Sequence, residues 1–130
     1  MIYFRKKIIF ELSVQKTFLF LLALFIIKVI SLLNSPLSLS VDEAQYWDWS
    51  NNLDFGYFSK PPFIAWLIAS TTYFFGISEW SIRLSSPIIH LLIAVVIWFI
   101  SKSVYNIKVA NFITVIWATL PLNSFGSLII

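Results

Sequence analysis

Long apolar runs separated by short polar segments make up most of the 130-residue chain. Residues 17–33 and 82–100 are each apolar enough, and roughly long enough, to cross a bilayer as one α-helix. A third apolar run extends from Val109 to about Leu120, and Pro121, Asn123 and Gly126 weaken its end. This pattern predicts an all-α integral membrane protein with about three transmembrane helices.

The first apolar run has a second interpretation, a cleaved signal peptide, because Arg5, Lys6 and Lys7 precede it. A signal peptide ends in a cleavage site with small residues, and none follows Leu33. We therefore favour a retained transmembrane helix.

Two shorter helices are predicted between the first two runs, in residues 34–81. Ser40 and Glu43 have the spacing of a capping box, in which each side chain binds the backbone N–H of the other residue, and this favours a helix over 41–53. A proline pair and a later glycine bracket a second helix over 61–75. Its fifteen residues give about 22 Å of helix, less than the ~30 Å hydrocarbon core. Both are therefore expected to be juxtamembrane helices.

The composition excludes several classes of protein. With 59% hydrophobic and 12% charged residues, the chain has too little polar surface for a soluble domain. The absence of cysteine excludes disulfides and thiolate metal sites. The net charge of +3 comes largely from basic residues near the ends of the apolar runs, so no nucleic-acid partner is expected.

The distribution of charge predicts the orientation in the membrane. Residues 1–16 and 101–108 are basic and are expected in the cytoplasm under the positive-inside rule. Residues 34–81 carry five acidic residues against Lys60 alone, a net charge of −4, and are expected to form an outer loop. Residues 109–130 would then form the third span and the start of the next outer loop.

The acidic pair Asp42–Glu43 and the single Lys60 admit both a structural and a chemical interpretation. Acids in a first turn stabilise a helix through its cap and dipole, and an interfacial lysine can extend its ammonium to water. A carboxylate pair can also take a proton from a hydroxyl, and a lysine beside a helix N-terminus can bind a phosphate. Trp47 and Trp49 fit an aromatic belt at the membrane interface.

Three sequence elements occur in the order found in a known family. They are the D-E pair after the first span, YFSKPP and SEWSIR. Within the stretches DEAQYWDWSNNLDFGYFSKPPFIAWLI and FFGISEWSIRLSSPIIHLL, the chain resembles the N-terminal part of polyprenyl-phosphate-sugar-dependent glycosyltransferases of the GT-C fold. This superfamily includes dolichyl-phosphate-mannose–protein mannosyltransferases and lipid A aminoarabinose transferases. The resemblance covers about residues 17–130.

The resemblance implies catalytic and acceptor roles at the start of the first short helix. Asp42 corresponds to the catalytic or acceptor-orienting carboxylate, and Glu43 supports it. Tyr46 lies one helical turn after Asp42 and would share its face as a substrate-binding residue.

The resemblance also implies a binding site for the donor. Tyr57 and Lys60 match an aromatic and a basic position that meet the donor's phosphate. Arg83 matches the basic residue that opens the second span, where it is either structural or close to the phosphate.

The implied reaction transfers a sugar, with inversion, from a polyprenyl-phosphate donor to a glycan, lipid or protein acceptor. It would occur at the extracytoplasmic side of a multi-pass cell-membrane protein, in a bacterial inner or plasma membrane, in contact with membrane lipids. No cofactor is expected, although Asp42, Glu43 and Asp48 are compatible with a divalent cation.

Members of the family have many spans, so the chain is expected to be a fragment of a larger polytopic protein and inactive alone. Two alternatives remain open. One is a non-catalytic membrane subunit that binds a lipid phosphate or a partner through the acidic loop, and the other is a scaffold whose acids only cap helices. His90 has no role in the resemblance, and we favour hydrogen-bonded packing over a functional role for it.

Overall fold

A computed structural model of the protein describes residues 13–58, 60–126 and 128–129. Over these residues the chain forms seven α-helices and no strand, in agreement with the predicted all-α class. The predicted cytoplasmic segment 1–16 lies mostly outside the described residues. The helices are α1 (Val14–Leu33), α2 (Val41–Asn51), α3 (Phe63–Phe75), α4 (Glu79–Arg83), α5 (Ser85–Val104), α6 (Ile107–Thr119) and α7 (Pro121–Gly126).

Two stretches of helix are long and apolar enough to cross a membrane. The first is α1, with 20 residues and a length of about 30 Å. The second is α4 with α5, because the residue between them, Leu84, has helical backbone angles and the 26 residues Glu79–Val104 run on as one unit. They contain the predicted runs 17–33 and 82–100. Large apolar side chains on their surfaces are exposed, as expected for contact with lipid: Leu19, Leu22, Ile26, Ile27, Ile30, Leu92, Ile93, Val96, Phe99 and Ile100.

The predicted third span corresponds to α6, which has 13 residues and a length of about 20 Å. It ends at Thr119, and its C-cap residue, Leu120, directly precedes the proline that starts α7. By length alone α6 does not cross the ~30 Å hydrocarbon core, so the total number of spans stays a prediction.

The buried residues form two separate cores. One lies in the bundle of α1, α5 and α6 and is built on Leu21, Ala94 and Ala118, where small alanine side chains allow close helix packing. The other lies between α2, α3 and α4 and is built on Tyr46 and Ile68, together with Ile82. The two short helices therefore pack on each other and on α4, the first part of the second long stretch, around a core of their own.

Helices α2 and α3 lie within the predicted ranges 41–53 and 61–75, and their place at the membrane surface stays a prediction. The capping box of α2 is present, since Ser40 Oγ accepts from Glu43 N at 3.3 Å and Glu43 Oε2 accepts from Ser40 N at 2.8 Å. The helix ends at Asn51, so Leu53 lies in the following loop rather than on the predicted helical face. The second helix, α3, is followed by Gly76, whose φ of 78° is the left-handed conformation that glycine tolerates best.

Candidate active site

The acidic pair at the start of α2 is divided between two environments. Asp42 is exposed, whereas the side chain of Glu43 is only 1% exposed. Successive residues of a helix point about 100° apart, so one member of an adjacent pair turns away when the other is buried. The two carboxylates therefore have different chemical possibilities.

Glu43 forms a two-point ion pair with Arg83, a residue 40 positions later. Arg83 Nε donates to Oε1 and Arg83 Nη2 donates to Oε2, both at 2.8 Å. Both side chains are buried, and Glu43 Oε2 also accepts from the backbone N–H of Ser40. A buried pair of this geometry ties α2 to α4 and leaves Glu43 directed into the protein rather than toward solvent.

The same arginine holds the linker that joins α1 to α2. Its Nη1 donates to the carbonyl oxygen of Leu37 at 2.8 Å, and its Nη2 donates to that of Ser38 at 2.9 Å. The guanidinium thus satisfies backbone oxygens and a carboxylate at once. Arg83 fixes where α2 begins, and with it the position of Asp42.

Lys60, three residues before α3, contacts α2 through Tyr46. Its ammonium donates to the hydroxyl of Tyr46, a side chain that is otherwise buried in the core between the short helices. This hydrogen bond raises the pKa of Lys60 above its usual value despite an opposing effect of desolvation, and the charge of Asp42 raises it further. Lys60 is therefore a full positive charge at neutral pH, close enough to Asp42 for the two charges to interact.

Tyr57 organises the loop between α2 and α3. Its ring stacks on Trp49 with 4.7 Å between centroids and 6° between planes. Its hydroxyl lies 2.9 Å from the carbonyl oxygens of Trp49 and Asn52, and it accepts from the N–H of Asp54 at 3.2 Å. The hydroxyl is thus engaged by backbone groups, and the contact with a donor phosphate stays a prediction.

The remaining predictions concern metal and His90. In the part of the chain that the structure describes, no three His, Asp or Glu side chains come together to hold a metal ion. His90 Nδ1 lies 3.0 Å from the carbonyl oxygen of Ser86, and the centroids of the His90 and Trp117 rings are 6.0 Å apart. These contacts are compatible with hydrogen-bonded packing, and the role of His90 stays a prediction.

The long-range partners of this site have no signal in the sequence. Arg83 contacts the carbonyl oxygens of Leu37 and Ser38, and contacts with backbone groups cannot be predicted from residue type. The aromatic stack of Trp49 on Tyr57 depends on a chain reversal over eight residues. An arginine at the start of an apolar helix is costly unless it is paired, so the sequence indicates that Arg83 has a partner but not which residue it is.

The described residues combine two helices long and apolar enough to cross a membrane with an exposed carboxylate, Asp42, and an exposed ammonium, Lys60. Residues 59–129 match the sequence model of the dolichyl-phosphate-mannose-protein mannosyltransferase family. The chain belongs to this family of membrane glycosyltransferases, and the predicted resemblance is confirmed. Lys60 and Arg83 lie within the matched residues, whereas Asp42 and Glu43 precede them.

A relative supports the same assignment. The lipid A galacturonosyltransferase RgtD of Rhizobium johnstonii is 44% identical to this chain over 82 residues. The match covers 62% of this chain and 17% of the relative, so the chain spans a small part of that protein's length. No solved structure matches the chain significantly.

Proposed function

We propose that this chain forms the catalytic-loop region of a membrane glycosyltransferase that uses a polyprenyl-phosphate-linked sugar as donor. The acceptor is a glycan, lipid or protein hydroxyl on the extracytoplasmic side. Membership of the mannosyltransferase family supports the reaction class, and the net charge of −4 in residues 34–81 supports the orientation.

Lys60 is the phosphate-binding group in this proposal. Its ammonium is exposed, carries a full charge and sits directly before the proline pair that opens α3. An apolar groove of about 220 Å³ lies between α3 and α5, with Phe63, Leu67 and Ile89 in its walls, and Phe63 is three residues after Lys60. A positive charge close in sequence to an apolar groove suits a lipid phosphate better than a free sugar nucleotide.

Asp42 is the general base for the acceptor hydroxyl in this proposal. The acceptor oxygen attacks the anomeric carbon while the bond from that carbon to the phosphate oxygen breaks, and the configuration inverts. The proton of the hydroxyl passes to Asp42, and the polyprenyl phosphate leaves with an added negative charge that Lys60 stabilises. Glu43, Arg83 and Tyr57 act as positioning residues, because their polar groups bind other parts of the protein.

The observation that carries this proposal is that the ammonium of Lys60 reaches α2 through the hydroxyl of Tyr46, one helical turn after the exposed carboxylate of Asp42. A sugar donor with an anionic leaving group needs a base for the acceptor and a cation for the phosphate, and this end of the molecule provides both.

The test is Asp42→Asn, which keeps the size of the side chain and removes the base. We expect transfer to fall by about 10²–10⁴-fold, as for a lost general base, with folding unchanged. The assay uses a chimera in which this sequence replaces the region that it matches in the galacturonosyltransferase, because the chain covers only 17% of that relative. Asp48→Asn, an exposed carboxylate on the same helix, is the matched control and should keep transfer near normal. Equal activity of the two variants would refute the catalytic role of Asp42.

A further inference from the structure

Lys60 is an exposed residue whose charged end is nevertheless held in one place. Its ammonium donates to the hydroxyl of Tyr46 and lies over the ring of the same tyrosine, 4.8 Å from the ring centroid. The hydrogen bond and the attraction between a cation and an aromatic ring act together on this nitrogen. An exposed lysine otherwise samples many rotamers, because its four-carbon stem is flexible. Tyr46 therefore restricts where the charge of Lys60 lies.

Tyr46 is a rigid partner for this contact. It is only 6% exposed, and its ring packs with Ile68 and Ile82 in the core between the short helices. Trp49 follows three residues along α2, and its ring centroid lies 5.8 Å from that of Tyr46. Burial leaves little of the Tyr46 ring for contact with a substrate, whereas its hydroxyl reaches the ammonium of Lys60.

The backbone of Lys60 is held by an aromatic neighbour of Tyr46. Trp49 stacks on Tyr57 as well as contacting Tyr46. The backbone N–H of Tyr57 donates to the carbonyl oxygen of Lys60 at 3.4 Å. Trp49 thus connects the tyrosine that holds the side chain of Lys60 with the tyrosine that holds its backbone.

The contact with Tyr46 leaves part of the ammonium available. An ammonium group has three N–H donors, and the hydroxyl of Tyr46 accepts from one of them. Among the residues that the structure describes, no other hydrogen bond of this ammonium is present. Phosphate oxygens are acceptors that lysine commonly binds, and two N–H groups remain for them.

We propose that Tyr46 is a positioning residue for Lys60, whose hydroxyl holds the ammonium beside α2 so that its remaining N–H groups meet the phosphate of a lipid donor. This inference rests on the phosphate-binding role of Lys60 in the proposed function. It gives Tyr46 a contact with the lysine in place of a contact with the substrate.

The same contact affects the protonation of Lys60. The hydrogen bond to Tyr46 raises the pKa of the ammonium, and the charge of Asp42, which is also on α2, raises it further. Tyr46→Phe keeps the aromatic ring in the core and removes the hydroxyl that accepts the hydrogen bond. We therefore expect the pKa of Lys60 to fall in this variant, so that its positive charge is lost at a lower pH than in the wild type.

The first measurement follows the ammonium of Lys60 without any donor. The chain carries isotope-labelled lysine in detergent, and the carbon next to the amine is titrated by nuclear magnetic resonance. Lys60→Arg identifies the signal of Lys60 by its absence. We expect a lower midpoint in Tyr46→Phe, and an unchanged one in Tyr73→Phe, the matched control at an exposed position near the end of α3. An unchanged midpoint in Tyr46→Phe would overturn the proposal.

The second measurement is the binding of polyprenyl phosphate, without a sugar, to the chimera in nanodiscs. We expect Tyr46→Phe to weaken binding about fivefold, as for one ordinary hydrogen bond. In the Lys60→Ala background, Tyr46→Phe should have no further effect, because Tyr46 acts through Lys60. Equal losses in the two backgrounds would show that Tyr46 acts independently of Lys60, and this would overturn the proposal.

The two measurements separate this proposal from the proposed function. Unchanged binding in Lys60→Ala would refute the phosphate-binding role of Lys60, and with it the purpose of the contact with Tyr46. The titration needs no donor, so it shows independently whether Tyr46 holds the ammonium. An unchanged far-ultraviolet circular dichroism spectrum confirms that each variant keeps its helices.

Discussion

The two short helices, α2 and α3, pack on each other but are stabilised in different ways. The 11 residues of α2 include three acids, and its start is fixed by a capping box and by the ion pair to Arg83. The 13 residues of α3 contain no charge, begin without a side-chain cap, and bury Ala65 and Ile68 completely. Polar geometry therefore positions α2, whereas apolar burial positions α3.

This difference is consistent with the proposed roles of the two helices. A catalytic carboxylate needs a fixed direction, and hydrogen bonds and ion pairs supply direction while apolar burial does not. Asp42 is on α2, the helix held by hydrogen bonds and an ion pair. Lys60 lies in the loop between α2 and α3 and contacts α2 through Tyr46. The apolar helix α3 provides the surface on which a lipid can lie.

The largest expected effect comes from breaking the ion pair that positions α2. Arg83→Met leaves the carboxylate of Glu43 buried without its counter-charge, and we expect a loss of about 3–5 kcal/mol in the free energy of unfolding. Denaturant titration in detergent, followed by helical circular dichroism, measures this loss.

A double variant tests whether the stability lost in Arg83→Met comes from the unpaired charge of Glu43. Replacing both partners, Glu43→Met with Arg83→Met, removes the unpaired charge, and we expect it to be more stable than Arg83→Met alone. If the double variant is less stable by the sum of the two single losses, the ion pair has no energetic role of its own.

A smaller effect is expected at Lys60, in the loop between α2 and α3. Lys60→Ala removes the charge proposed to bind the donor phosphate, and we expect binding of polyprenyl phosphate to the chimera to weaken by about 1.5–3 kcal/mol, or roughly ten- to a hundredfold. Binding is measured by titration in nanodiscs. Lys60→Arg keeps the charge and should retain most of the affinity. Unchanged affinity in Lys60→Ala would leave Lys60 with only an interfacial role.

The local features of this site are visible in the sequence, and the long-range ones are not. Ser40 and Glu43 are three residues apart, so their reciprocal cap follows from residue type and spacing alone. The extent of α3, from the prolines to Gly76, is likewise set by local backbone preferences. The pairing of Glu43 with Arg83 joins residues 40 positions apart, and only the packing of α2 against α4 brings them together.

The same difference between local and long-range contacts applies to the acidic pair Asp42–Glu43. The sequence alone leaves the pair open between capping and catalysis, and the family resemblance implies that Asp42 is catalytic and that Glu43 supports it. In the structure Glu43 is buried against Arg83 and Asp42 is exposed, and their roles in transfer stay a prediction. The total number of spans is a similar case, since the apolar run from residue 109 is divided at Pro121 by a helix end that hydrophobicity alone does not indicate.

The smallest predicted effect tests how much of the position of α2 depends on its cap. Ser40→Ala removes the bond from Glu43 N to Ser40 Oγ but keeps the bond from Ser40 N to Glu43 Oε2, because that donor is backbone. We expect a loss of about 1 kcal/mol in the free energy of unfolding, as for an N-cap serine. Transfer by the chimera should be nearly unchanged, because the ion pair with Arg83 still fixes the start of the helix. Ser38→Ala is the matched control, since Ser38 binds Arg83 through its carbonyl, and we expect a change within about 0.5 kcal/mol. If Ser40→Ala reduced transfer as strongly as Asp42→Asn, we would conclude that the cap, rather than the ion pair of Glu43 with Arg83, positions Asp42.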